Sequence, residues 1–347
     1  MFPLDALGRH RRLAVIGLAK NTGKTETLKA IVAALDAAGE TVGVTSVGRD
    51  GEARDVLDPS LPKPRIRLAA GSLVATALPL MLRGEQVTLL ATTTHRTPLG
   101  VVGVGRLEEA GEIEVAGPGS AAAIADVDDL MMALGASRIL IDGSFDRRAA
   151  ANPSVSDGVV LATGAVLHRD PAEVIRRTAV AAALLRLPQV ADPDVRATAR
   201  AAGGHLILGP GDARLALPRE VALRSGPIDD PQVFDALRAA THLVIRGALL
   251  EPFLTEVASA RRKADHSLTV VVDDATSVFL DGSSVARWAE RGIALEALKP
   301  IALLALTVNP VAPGSHRLDS EALCAQMARM IGEVEIFDVL APASLSR

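Results

Sequence analysis

The sequence is poor in the residues on which several function classes depend. Its 347 residues include one cysteine, one tryptophan, six phenylalanines and no tyrosine. A lone Cys324 excludes an internal disulfide and any cysteine-rich metal site, and it fits a reducing compartment. An aromatic content of 2% leaves few platforms on which single-stranded bases stack. Basic excess is missing too: 37 Lys and Arg stand against 41 Asp and Glu, so nothing recruits a phosphate backbone and nucleic acid is not expected as a partner. The mean hydropathy of +0.28 comes from dispersed Ala, Val and Leu. No apolar run reaches the ~20 residues of a membrane span. Arg9–Arg12 followed by Leu13–Ala19 imitates a secretory leader, but the run passes into Lys20 and a glycine loop with no cleavage site. A cytoplasmic protein with no membrane segment is the expectation. The histidines show no ligand spacing, so no transition-metal site is assigned.

What is present is an alternation of buried-strand and helix patterns. Arg12 to Leu18 is a compact apolar run of the kind found in a strand buried on both faces. Thr25 to Ala38 then carries Leu28, Ile31, Val32 and Leu35 at helical spacing and closes on Gly39. Thr41 to Val47 resumes as a strand, which makes the first unit a βαβ. Short β-like runs between about 61 and 107 read as a β-rich insertion. A helix over 121–134, a strand ending in Asp142, a strand over 159–163 and a helix over 171–187 follow. The segment 188–231, rich in Pro, Asp, Gly and Arg, suggests a boundary. The fold class expected is α/β: a largely parallel sheet with helices on both faces plus the insertion. Residues 1–190 would form the domain that carries the glycine loop, and 191–347 a C-terminal α/β region that completes the same sheet or forms its own. No internal repeat is evident.

The chemistry concentrates at Gly17-Leu18-Ala19-Lys20-Asn21-Thr22-Gly23-Lys24-Thr25. Binding a phosphate chain requires backbone N–H groups that converge on oxygen, a lysine, and a hydroxyl for Mg²⁺. Gly17, Lys20, Asn21, Thr22 and Gly23 supply the loop, Lys24 the charge and Thr25 the hydroxyl, at a helix N-terminus whose dipole favours an anion. Five residues intervene between Gly17 and Gly23 instead of the usual four. A metal-organising carboxylate is needed at the end of a neighbouring core strand. Asp142, closing Arg138-Ile139-Leu140-Ile141, has that form, and Asp50 after the second strand is a further acidic candidate. Lys24, Asp142 and Asp50 are thus the catalytic candidates, and Thr25 with Asp142 the Mg²⁺ ligands. Asn309, after an apolar strand, offers an amide to a purine edge or a turn. Arg147 and Arg148 are candidates for stabilising charge on a transferred phosphoryl group. Asp273 and Asp274, adjacent on a strand, would point to opposite faces and are not expected to share acid–base work.

The five-residue spacing resembles that of dethiobiotin synthetases and cobyrinate amidotransferases among P-loop NTPases. In the synthetases an asparagine after a late strand reads the adenine, the role this resemblance implies for Asn309. A closer resemblance is to the P-loop accessory protein, regarded as part of a reactivase, of adenosylcobalamin-dependent lysine 5,6-aminomutase and ornithine aminomutase. It rests on Gly17–Thr25, Thr45–Glu52, Lys63–Ile66, Ile141–Arg147, Asn152–Asp157, Thr163–Ala165 and Thr307–Pro310, in that order along the chain. Glu26 departs from it, standing where such loops commonly carry a second threonine. The resemblance implies an ATP-binding, Mg²⁺-dependent ATPase that acts as a reactivase or chaperone subunit, with the aminomutase and a second reactivase subunit as partners. The residues themselves leave GTP open beside ATP, and a homodimer is compatible with them. Two alternatives stay open: a small-molecule kinase or ATP-dependent ligase, and a nucleotide-gated scaffold without turnover.

Overall fold

The computed structural model describes residues 2–47, 65–83, 86–144, 148–223, 226–280, 284–314 and 316–341. The chain divides into two compact units, one of residues 1–179 with 302–347 and the other of residues 180–301.

The first unit is built on a nine-stranded sheet. In chain order its elements are β1 (Arg12–Gly17), α1 (Lys24–Ala37), β2 (Val42–Ser46), β3 (Ile66–Leu68), β4 (Leu73–Ala77), α2 (Leu78–Met81), β5 (Val87–Thr97), β6 (Gly100–Leu107), β7 (Gly111–Ile113), α3 (Ala121–Ala133), β8 (Arg138–Ser144), β9 (Gly158–Gly164) and the start of α4 (Pro171–Leu185). The sheet order is β18-β17-β9-β1-β8-β2-β4-β6-β5, where β17 (Leu303–Asn309), α10 (Ser320–Ile331) and β18 (Glu335–Asp338) come from the end of the chain. Neighbours from β18 to β4 are parallel, and β6 and β5 add an antiparallel hairpin at the edge. Strands β1, β2, β4 and β9 are buried along nearly their whole length, as expected when both faces are covered. Leu13, Val15, Val42, Val44 and Leu140 pack with Leu28, Ile31 and Leu35 of α1. Gly43, between two of those positions, faces Met131 of α3. Successive strand residues point to opposite faces, so α1 and α3 cover opposite sides of the sheet.

The β-rich stretch is therefore part of the main sheet. Strand β4 pairs parallel with β2, and β6 and β5 extend it; β3 and β7 form a separate two-stranded piece. Strands β1 and β2 are parallel as expected but not adjacent, since β8 lies between them.

The second unit contains the end of α4, then α5 (Pro193–Ala201), β10 (His205–Leu208), β11 (Arg214–Leu217), α6 (Arg219–Leu223), α7 (Pro231–Ala239), β12 (His242–Ile245), β13 (Leu249–Leu250), α8 (Glu251–Ala260), β14 (Leu268–Val272), β15 (Val278–Phe279), α9 (Val285–Glu290) and β16 (Ile293–Ala297). Its sheet runs β11-β10-β12-β14-β16, with β12, β14 and β16 parallel and β10 antiparallel to both its neighbours. A single cut near 190 thus differs from the observed division. The chain leaves the first unit after 179 and returns at 302, so that β17 and β18 belong to the first sheet.

A short repeat, not evident from the sequence alone, becomes visible here. Asp192-Pro193-x-Val195 and Arg200-Ala201-Ala202 before His205-Leu206 match Asp230-Pro231-x-Val233 and Arg238-Ala239-Ala240 before His242-Leu243. Both aspartates cap their helices, accepting N–H bonds from the second and third residues onward, with proline in the first turn. The two strands pair antiparallel with Leu206 opposite Val244 and Ile207 opposite Leu243, the register of a local two-fold. An insertion of one residue before His205 hides the repeat from a fixed-period comparison. Among the described residues no helix is long and apolar enough to cross a membrane, and no group of His, Cys, Asp and Glu is arranged to hold a metal by itself.

Candidate functional site

Strand β1 lies where the chain changes direction across the sheet. It has β8 on one side and β9 on the other, and β9 follows β8 in sequence. In parallel sheets the crevice beyond the carboxyl ends of the strands at such a switch point is where ligands bind. The glycine loop occupies it. Leu18 N–H donates to Ala162 O on β9 at 3.0 Å, which fixes the exit of the chain from β1. Thr22, almost wholly buried, folds its hydroxyl back onto Ala19 O at 2.9 Å. A Cβ on Gly17 would stand 2.6 Å from that hydroxyl, so glycine is required for the tuck.

Two loop residues take left-handed backbone angles, Asn21 at φ 66° and Gly23 at φ 88°. Asparagine tolerates that region better than most side chains, for which it costs about 1–2 kcal/mol. Gly23 precedes Lys24 and presents no capping side chain to α1, whereas Ser120, Asp192, Asp230 and Asp319 cap α3, α5, α7 and α10. The first-turn N–H groups of an α-helix have no partner within the helix, and here no side chain competes with a ligand for the N-cap position.

Asp142 lies on β8 opposite Val15, two residues short of the register of Gly17 with Ser144, and on its other side opposite Ser46 of β2. Its Oδ1 is 2.9 Å from Lys24 Nζ, and both side chains are about three-quarters buried. Sequence reasoning nominated these two residues separately; the structure brings them together. Thr25 sits in the first turn of α1 and is half-buried, and Lys20 is exposed on the loop. Glu26 turns outward, its carboxylate 3.0 Å from Lys29 Nζ. Asp50 and Arg147 lie outside the described residues, as does the side chain of Arg148.

Asn309 ends β17 opposite Gly164. Its Nδ2 donates to Asn21 O at 3.3 Å and its Oδ1 accepts from Val311 N–H at 3.0 Å. The structure therefore places it against the loop. Two residues assigned no role from sequence join it. Thr27 Oγ1 donates to Gly23 O at 3.0 Å, and Thr307 Oγ1 lies 2.7 Å from Thr27 Oγ1. With its own hydrogen committed to Gly23, Thr27 accepts from Thr307. A threonine in a helix and another in a strand, far apart in sequence, carry no local signal of this pairing.

Asp273 and Asp274 belong to the second unit and follow β14 instead of lying on it. Asp273 pairs with Arg246 at 2.9 Å, while Asp274 caps the short turn 275–277 through Thr276. Each has a structural role. Cys324 on α10 is half-buried, and burial pushes its thiol up to about 11, with Asp338 adding to the shift. It is not an activated nucleophile. No protein-family model, curated protein or solved structure matches this chain.

Proposed function

We propose that this chain is a P-loop NTPase that binds ATP with Mg²⁺ at Gly17–Thr25 and passes its nucleotide state to a partner protein. The observation that carries the reading is the pairing of Lys24, at the uncapped start of α1, with Asp142, two residues before the end of the adjacent parallel strand, 2.9 Å apart. A lysine at this place meets phosphate oxygens, while a carboxylate one strand away fits a metal or its water. The residues fit the group. The loop backs onto glycines where a Cβ would collide, its helix end favours anions, and hydroxyl and carboxylate donors suit a hard cation. Mg²⁺ with its nucleotide would supply charge neutralisation on the phosphate chain. The protein's own part is to orient that chain through the loop N–H groups and Lys24, and to hold Asp142 beside it.

The resemblance to the accessory protein of adenosylcobalamin-dependent aminomutases makes a reactivase the specific form of this proposal. Such a role requires two states that a nucleotide binds unequally, and the γ-phosphate supplies the difference. The test is a titration of ATP and GTP, with and without Mg²⁺, on the wild type and Lys24→Ala. Tight Mg²⁺-dependent binding that the substitution abolishes is the expected result. Unchanged binding in Lys24→Ala would overturn the assignment. For the client, recovery of an inactivated aminomutase should depend on added ATP, and ATP-independent recovery would remove the reactivase reading while leaving the nucleotide site standing.

A further inference from the structure

We infer that Asn309 is a positioning residue for the phosphate loop and not a reader of the base, an assignment that rests on the nucleotide reading of Gly17–Thr25. Reading a purine edge takes an amide that offers a donor and an acceptor side by side, as in the bidentate pairing of Asn with adenine. Here each end of the amide already holds a partner, Nδ2 at Asn21 O and Oδ1 at Val311 N–H, so that a base would meet only the second N–H and the second lone pair of an amide set by the loop and the turn. A carbonyl only accepts and a backbone N–H only donates, so the amide's orientation is fixed by its partners.

Packing holds the residue in the same place. A Cβ on Gly23 would lie 2.8 Å from Asn309 Cβ, and one on Gly164 would lie 2.2 Å from Asn309 O. Asn309 is thus wedged between a glycine of the loop and a glycine at the end of β9. Two residues earlier, Thr307 reaches Thr27, which holds Gly23 O. Strand β17 therefore fixes two carbonyls of the loop, those of Asn21 and Gly23. Because a trans peptide points its C=O and N–H in opposite directions, pinning Asn21 O toward β17 aims Thr22 N–H away from it. Pinning Gly23 O along α1 likewise aims Lys24 N–H out of the helix start. These are the donors that an anion at this loop requires, and the left-handed Asn21 is the residue most in need of an external hold.

The consequence is that Asn309 governs affinity for the phosphate chain whatever base is attached. The experiment compares the affinities of ATP, GTP and inorganic tripolyphosphate, each with Mg²⁺, for the wild type, Asn309→Ala and Asn309→Asp. Aspartate keeps the acceptor for Val311 N–H but sets a second acceptor and a negative charge against Asn21 O, so it should weaken all three ligands at least as much as alanine does and serves if the alanine variant fails to fold. Thermal melting of each variant separates loop effects from loss of fold. The expected result is a weakening of all three ligands by a common factor of about ten, the worth of one hydrogen bond, with the ATP-to-GTP ratio unmoved and the melting temperature lowered by only a few degrees. Weakening of ATP alone, with tripolyphosphate unaffected, would overturn the proposal in favour of base reading. Unchanged affinity for every ligand would overturn it in favour of a purely structural residue. Failure of the wild type to bind any of the three would instead remove the nucleotide reading, and this assignment with it.

Discussion

Lys24 Nζ stands 2.9 Å from Asp142 Oδ1, across the junction of α1 with the strand beside β1. Both side chains are largely buried, so desolvation offsets most of their attraction and the pair's net contribution to folding is small. Its geometry bears on chemistry more than on stability. On the proposed nucleotide reading, Asp142→Asn should weaken the Mg²⁺ dependence of ATP binding, with turnover falling on the order of 100-fold. A metal titration of nucleotide affinity checks this. An Asp142→Asn protein whose Mg²⁺ dependence matches the wild type would show that the carboxylate only holds Lys24.

The arrangement around this pair was partly legible beforehand, for identifiable reasons. The run Arg12–Leu18 and the spacing of Leu28, Ile31 and Leu35 are local patterns, and they became β1 and α1. Asp142 was recognisable because it closes an apolar run. The position of Asn309 against Asn21 was not, because it depends on how β17, β9 and β1 line up and the two residues are 288 apart. The return of the chain to the first sheet at 302 was hidden for the same reason: a strand's sequence states that it is buried, not which sheet buries it. Strand β11 is short and largely exposed, so burial leaves no clear period in it.

Asp128 on α3 is wholly buried, and neither carboxyl oxygen meets a hydrogen-bond donor among the described residues. Burial raises its pKa from 3.8 to about 8, opposed by Arg12 and assisted by Asp129. Between these values the folded carboxyl keeps a proton that the unfolded chain releases. Its contribution to stability is therefore fully present below about pH 4 and lost as pH rises through about 8, at up to ~1.4 kcal/mol per pH unit. Asp128→Asn should flatten this dependence and stabilise the protein at pH 8 by ~1–3 kcal/mol. Denaturant unfolding of both proteins at pH 5 and pH 8 measures it, and an equal difference at the two pH values would count against a buried titrating carboxyl.

Arg261, buried in the second unit, donates to Leu237 O at 2.7 Å and Ala240 O at 2.7 Å, and to His266 O at 2.8 Å. It closes the C-terminus of α7, where carbonyls would otherwise be left without donors. Burial lowers its pKa from the ordinary value, yet a guanidinium remains charged at any working pH. Arg261→Met keeps the stem and removes the donors, and it should cost about 2–4 kcal/mol. Arg261→Lys should recover little, because an ammonium cannot span three divergent carbonyls. Amide hydrogen exchange provides the measurement: protection should fall first over residues 231–240, and uniform loss across the unit would argue that Arg261 serves packing alone.

Gly23 and Gly39 bracket α1 and both hold left-handed backbone angles, at φ 88° and φ 75°. Alanine at either should cost about 1–2 kcal/mol in backbone strain. Their surroundings differ: a Cβ at Gly39 meets nothing within 4 Å, whereas one at Gly23 lies 2.8 Å from Asn309 Cβ and 3.3 Å from Val339 Cγ1. Gly39→Ala is therefore a control for strain at the same helix. Gly23→Ala must displace Asn309 as well, loosening the amide from Asn21 O and the loop from its conformation. Both variants should melt at lower temperature than the wild type, Gly23→Ala somewhat more so. Only Gly23→Ala should lose affinity for Mg²⁺-ATP, by at least the roughly tenfold expected of a lost hydrogen bond. Equal affinity in the two variants would show that the contact between β17 and the loop does not shape the proposed phosphate site.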